Sequence, residues 1–116
     1  MRTLFVINDP PYGTERPYNA LRLAYALAKR DGVDVQVFLI GDGASCAKRG
    51  QQTPDGYYNL ERMLSGIGRH GGEISVCGSC LDARGLADTD LIEGARRGSL
   101  DQLAEWTVAA DRVLTF

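Results

Sequence analysis

The sequence predicts an α/β fold in which a mainly parallel sheet lies between helical layers. Two observations carry this. Short apolar runs alternate along the 116 residues with segments of helical periodicity, which is the pattern of repeated β–α units. The first run, Leu4-Phe5-Val6-Ile7, is continuously apolar, as expected of a central strand covered on both faces.

The elements follow in order. After the first strand, Asn8-Asp9-Pro10-Pro11-Tyr12-Gly13-Thr14 is dense in turn formers. A helix is expected from about Pro17 to Arg30. Proline suits its first turn, and Leu21, Ala24, Tyr25 and Ala28 recur at helical spacing. Leu23, Ala26 and Leu27 widen the apolar face, so most of the circumference should be buried. Val33, Val35 and Val37 then alternate into Phe38-Leu39-Ile40, a second strand. Gly41-Asp42-Gly43 closes it, and a short helical piece holding Cys46, Lys48 and Arg49 comes next. Residues 50–58 read as the longest loop. Asn59 caps a helix to Arg69, with Leu60, Met63, Leu64 and Ile67 on one face. Glu73-Ile74-Ser75-Val76 is the third strand. Asp88 to Gly98 fits either a helical turn or a short strand. Ser99 and Gln102 make a capping-box pattern for a helix to about Ala110, with Trp106 on its apolar face. Residues 112–116 are the last strand.

Composition bounds the function. The chain is 44% hydrophobic and 24% charged, ordinary for one globular domain spanning residues 1–116. A net charge of −2 gives no electrostatic reason to expect nucleic acid or an anionic membrane as partner. The longest apolar run, Leu4 to Ile7, is far short of the roughly 20 residues of a membrane span. The N-terminus enters a strand at once and lacks a signal-peptide pattern, so the expected location is the cytoplasm. Cysteines there are reduced, catalytic or metal-binding more often than structural disulfides.

The chemistry concentrates in Cys77-Gly78-Ser79-Cys80-Leu81-Asp82-Ala83-Arg84-Gly85, directly after the third strand. A Cys-x-x-Cys pair can be a redox dithiol, half of a zinc site, a sulfur-carrying nucleophile with a neighbour, or two buried apolar side chains. Its place between a strand and a helical turn puts thiols beside free backbone N–H groups, which favour thiolate, with Arg84 a turn further on. Cys46, His70, Cys77 and Cys80 would number four zinc ligands. No second closely spaced pair exists, however, and His70 belongs at the other end of the strand, so no metal is expected. Gly41-x-Gly43 lacks the third glycine of a dinucleotide fingerprint and the lysine of a phosphate loop, so no cofactor is expected either. In open parallel sheets, ligand sites gather beyond the carboxyl ends of the strands. That rule brings together the Asp9–Thr14 loop, the Gly41–Gly56 region and the Cys77 motif. Asp9, Tyr12, Asp42 and Arg49 are therefore the expected supporting residues. Asp82 joins them as a cap or as a partner of Arg84.

The motif, with Asn8-Asp9-Pro10-Pro11-Tyr12-Gly13, Lys48-Arg49-Gly50-Gln51, Leu91-Ile92-Glu93-Gly94 and the segment Leu103 to Phe116, resembles the DsrE/DsrF-like superfamily in its YchN-like branch. The resemblance spans the chain in order. It implies a three-layer α/β/α fold with a five-stranded, mainly parallel sheet. It implies a homo-oligomer, trimer or hexamer. It also implies sulfur trafficking, in which a cysteine carries sulfane sulfur as a persulfide between donor and acceptor proteins or small persulfides. The sulfur-carrying position corresponds to Cys77. Cys80 is typical of the branch but absent from the sulfur-relay subunits, so a dithiol redox role and a non-enzymatic binding module stand as alternatives.

Overall fold

In the computed structural model, which describes residues 1–116, the apolar runs become strands β1 (Arg2–Ile7), β2 (Asp34–Leu39), β3 (Glu73–Cys77), β4 (Ala95–Gly98) and β5 (Arg112–Thr115). Between them lie helices α1 (Arg16–Ala28), α2 (Leu60–Arg69), α3 (Gly78–Ala83) and α4 (Leu100–Ala109). The strands form one sheet in the order β4-β3-β2-β1-β5, and every neighbouring pair is parallel.

Successive side chains on a strand point to opposite faces. One face of the sheet carries Phe5, Ile7, Val35, Val37, Leu39, Ile74 and Val76. It packs against Ala20, Leu21 and Ala24 of α1 and Leu60, Leu64 and Ile67 of α2 in one core. The other face is thinner. Phe38 meets Trp106 of α4 edge to face at 6.2 Å, and the Ser75 hydroxyl donates to the Gln102 side-chain oxygen at 2.6 Å. No residue of α4 is fully buried. Leu100, Val108 and Val113 are 74%, 88% and 42% exposed around that layer, which leaves it apolar and uncovered.

Several expectations are refined. α1 buries only a narrow stripe, and Leu23 and Ala26 face solvent, because α2 is its one helical neighbour on that side. The Asp88–Gly98 segment holds both forms expected of it: a 3-10 turn at Asp88–Asp90, then β4. The turn after β2 is 3-10 over Gly41–Ala47; it contains Cys46 but ends before Lys48 and Arg49. The Asn59 side chain accepts the Arg62 N–H, as its capping role requires. The Ser99 box is half closed. Ser99 accepts the Gln102 N–H, but the Gln102 side chain bonds Ser75 across the layers instead of returning to the cap.

Cys46 is fully buried in the core, its thiol 3.7 Å from the Asp9 carbonyl. Burial, and then the nearby Asp9 charge, push its pKa from 9.0 up to about 12. The native state therefore holds this proton where the unfolded chain has lost it. Stability is full below pH 9 and falls as pH rises from 9 towards 12. Denaturant melts across that range should show a shallower alkaline loss for Cys46→Ala than for the wild type. Parallel slopes would contradict it.

Candidate thiol site

The site is built where β3 stops. A Cβ at Gly78 would press on the Arg97 side chain and the Gly98 carbonyl, so a glycine here lets β4 lie close to the start of α3. Cys77 caps α3, and its sulfur accepts the Cys80 N–H at 3.3 Å. The Cys80 sulfur accepts the Gly41 N–H from the end of β2 at 3.1 Å. Gly41 has φ +59, a conformation that favours glycine, and this conformation turns the chain towards the motif. The two sulfurs are in disulfide contact, with the Cα atoms 5.2 Å apart. Ser79 Oγ lies 3.4 Å from the Cys77 sulfur.

The pair opens on a cleft of about 410 Å³ on the α4 side of the sheet, walled by Phe38, Ile40 and Leu100, with no charged side chain in its lining. Each sulfur thus has one backbone N–H donor and an uncharged approach. An N–H stabilises sulfur most when the sulfur bears negative charge. The arrangement can hold a thiolate, exchange a disulfide or carry an additional sulfur atom.

The charged residues take other places than expected. Arg84 donates to the Asp42 carboxylate at 2.6 Å and to the Cys80 carbonyl at 3.0 Å, so it ties the motif helix to the turn after β2. Asp82 pairs with Arg97 at 3.0 Å and not with Arg84, because Arg84 projects towards Asp42 while β4 brings Arg97 beside α3. Arg97 also bonds Asp88 at 2.8 Å and the Gly78 carbonyl at 3.0 Å, which clamps α3 to β4. Arg49 does not supply charge to the thiols: both of its bonding nitrogens donate to the Leu91 carbonyl, at 3.0 and 3.1 Å.

Asp9 accepts from the Thr14 hydroxyl at 2.9 Å and faces Arg16, which braces its own loop. Tyr12 lies in a cluster with Tyr18 and Tyr58, in a different pocket from the sulfurs. Its hydroxyl donates to Gln51 and accepts the Leu60 N–H at 3.2 Å, and burial pushes its pKa up. The loops after β1, β2 and β3 do converge, but β1's loop serves the α1–α2 side. No group of three or more His, Cys, Asp or Glu side chains is placed to hold a metal ion.

Two contributors escaped sequence reasoning. The Gly41 N–H is a backbone group with no residue-type signature beyond the turn. Arg97 adjoins Arg96 in the sequence, but its direction depends on the register of β4 with β3, where Val76 pairs Arg97 and Cys77 pairs Gly98.

Comparison with known proteins decides the family. The DsrE/DsrF-like family matches residues 1–116. The chain belongs to the DsrE/DsrF-like family. Within it, the chain is 39% identical to Protein YchN of Escherichia coli (strain K12) over 116 residues, 99% of this chain and 98% of that protein. The crystal structure of that protein from E. coli superimposes with a TM-score of 0.93, covering 100% of this chain and 99% of the other at 38% identity. More distantly, this DsrE/DsrF-like chain is 27% identical over 128 residues to a protein named Sulfurtransferase TusD from Salmonella typhi, covering 100% of both. No helix of the chain is long and apolar enough to cross a membrane.

Proposed function

We propose that the protein carries sulfane sulfur as a persulfide on Cys77, within an intracellular sulfur relay. The observation that carries this reading is the adjacency of the two sulfurs at the mouth of an uncharged cleft, each with a backbone N–H donor. Family membership and the distant likeness to a sulfurtransferase support it.

The steps balance as follows. The Cys77 thiolate attacks the outer sulfur of a donor persulfide, R–S–SH. The donor S–S bond breaks, its electron pair leaves with R–S⁻, and Cys77–S–SH forms. An acceptor thiolate then takes the outer sulfur and regenerates the Cys77 thiolate. Alternatively, the Cys80 thiolate attacks the inner sulfur. That releases HS⁻ and leaves a Cys77–Cys80 disulfide, which a thiol reductant must reopen. The first route transfers sulfur; the second discharges it. Cys80 is thus the resolving group in this reading, and a Cys77–Cys80 disulfide is the product that its attack leaves.

Incubation of the reduced wild type with a small persulfide, followed by intact mass, should show a gain of one sulfur atom that dithiothreitol removes. The dithiol redox reading uses the same contact, and it gains weight if the protein cycles between dithiol and disulfide with no sulfur gain.

The same reading includes a homo-oligomer, trimer or hexamer. Its support is the thin α4 layer, where Leu100 both walls the thiol cleft and faces solvent. A second copy covering that layer would bury apolar surface and border the cleft. Sedimentation velocity should give species of at least three chains of 12.6 kDa. A monomer throughout the micromolar range would overturn this part.

A further inference from the structure

On the side of the molecule away from α4, a groove of about 450 Å³ runs between α1 and α2. Its lining includes Arg22, Lys29, Arg62 and Arg69 and no acidic residue. None of these four cations makes an ion pair; the carboxylate bridges of the chain engage Arg16, Arg84 and Arg97. This is local charge that the net −2 of the whole chain conceals.

Three of the cations are held in place without being neutralised. The Arg22 guanidinium lies 5.5 Å from the centre of the Tyr18 ring and donates to Asn19 at 3.1 Å. The Lys29 ammonium lies 4.5 Å from the centre of the Tyr25 ring. An aromatic face orients a cation while leaving its charge free for an anion. Arg62 packs directly over Gly56, where a Cβ would collide with the guanidinium. Gly56 has φ +70, so the turn that seats Arg62 favours a residue without a side chain.

Tyr18 and Tyr58 form a wall shared with a second pocket of about 380 Å³, lined also by Tyr12, Tyr57 and Leu60. The tyrosine rings stand edge to face, Tyr12 and Tyr58 at 5.7 Å and Tyr18 and Tyr58 at 6.0 Å. Tyr12 and Tyr58 have φ of 68 and 45, conformations uncommon for aromatic residues. Backbone strain of this kind persists where the surroundings enforce it, and it concentrates at binding sites. A groove for several negative charges therefore adjoins an aromatic pocket large enough to admit a flat ring system.

We infer that this bipartite surface binds a nucleoside polyphosphate, with the base among Tyr12, Tyr18 and Tyr58 and the phosphates on Arg22, Lys29, Arg62 and Arg69. Guanidinium groups match phosphate oxygens in pairs, and the lysine adds a point charge. The volumes suit a small ligand and not an extended polymer. The site draws its cations from two helices and its tyrosines from α1 and the loops that precede α1 and α2, and it needs no glycine-rich fingerprint. It rests on no part of the sulfur-carrier reading.

The test is calorimetric titration of the wild type with adenosine triphosphate, inorganic tripolyphosphate and adenosine at low salt. The expected result is one triphosphate site per chain, with tripolyphosphate at least tenfold weaker and adenosine without measurable binding. Arg62→Gln with Arg69→Gln should weaken nucleotide binding at least tenfold, and Lys29→Gln alone should weaken it by a smaller factor. Arg30→Gln, at an exposed residue outside the groove lining, should leave it unchanged. Circular dichroism melts check that each variant is folded. Absence of saturable nucleotide binding, equal binding of tripolyphosphate, or equal binding by folded groove variants would each overturn the proposal.

Discussion

Cys77→Ser should lose sulfur loading down to the background of the double variant Cys77→Ser with Cys80→Ser, whatever persulfide donor is supplied. The reason is chemical. The proposed step forms a bond to the Cys77 sulfur, and a serine hydroxyl is not a sulfur nucleophile at neutral pH. The fold should survive the change, since Cys77 is partly exposed and its capping role, accepting the Cys80 N–H, is one a serine fills. Cys80→Ser should behave oppositely: it loads, and the adduct lasts longer, because no neighbouring thiol remains to expel sulfide. The pair of variants assigns the two roles separately. Loading that survives in Cys77→Ser and vanishes in Cys80→Ser would exchange them, and would point to the Gly41 N–H as the more important donor.

Gly43→Ala should be the most damaging small substitution in the chain, at about 3 kcal/mol, the upper part of the usual overpacking range. A Cβ there would overlap the Ile7 carbonyl and crowd the Asn8 nitrogen, so main chain meets main chain and no rotamer change relieves it. The same residue donates its N–H to the Asn8 and Ile40 carbonyls, both at 3.0 Å, so moving away breaks hydrogen bonds as well. Gly98→Ala makes the useful contrast. Its Cβ would meet the ends of the Ser75 and Gln102 side chains and come near the Phe38 ring, and two of those three can rotate. For a domain of this size, about 3 kcal/mol is a fall in thermal midpoint of on the order of 10–20 °C. Gly43→Ala with an unchanged melting curve would show that the β1–β2 ends are looser than described. Because Gly41 lies two residues earlier, the same shift should disturb the N–H that Cys80 receives.

Much of this architecture was legible because period and punctuation agreed. Leu4 to Ile7 read as a two-sided strand, and the core and the α4 layer do cover its two faces. Asn59 and Ser99 stood at helix starts where side-chain oxygens accept backbone N–H groups. Alternation of strands and helices implied parallel pairing, and every pair is parallel. The placement of Cys77 at a strand's carboxyl end followed from local pattern alone.

What failed was the wiring of long charged side chains. Asp82 and Arg84 are two residues apart, but on a short helix neighbours at that spacing diverge, and each found a partner from another element. Arg49, expected among the supporting residues of the thiol site, instead satisfies a main-chain carbonyl beside the Lys48–Leu91 bridge. Such choices depend on strand register and on which backbone groups lack partners, and neither is written in local composition. The α1–α2 groove was invisible for a related reason. Arg22, Lys29, Arg62 and Arg69 are dispersed in sequence and converge only when the two helices pack.

The central claim is that Cys77 carries the sulfur and Cys80 discharges it. Peptide-level mass spectrometry of the alkylated wild type, after brief loading with a small persulfide, tests it most directly. The account predicts one additional sulfur localised by fragmentation to Cys77, followed in time by an unadducted Cys77–Cys80 disulfide and released sulfide. An additional sulfur localised to Cys80, or a disulfide that forms with neither adduct nor sulfide, would contradict it.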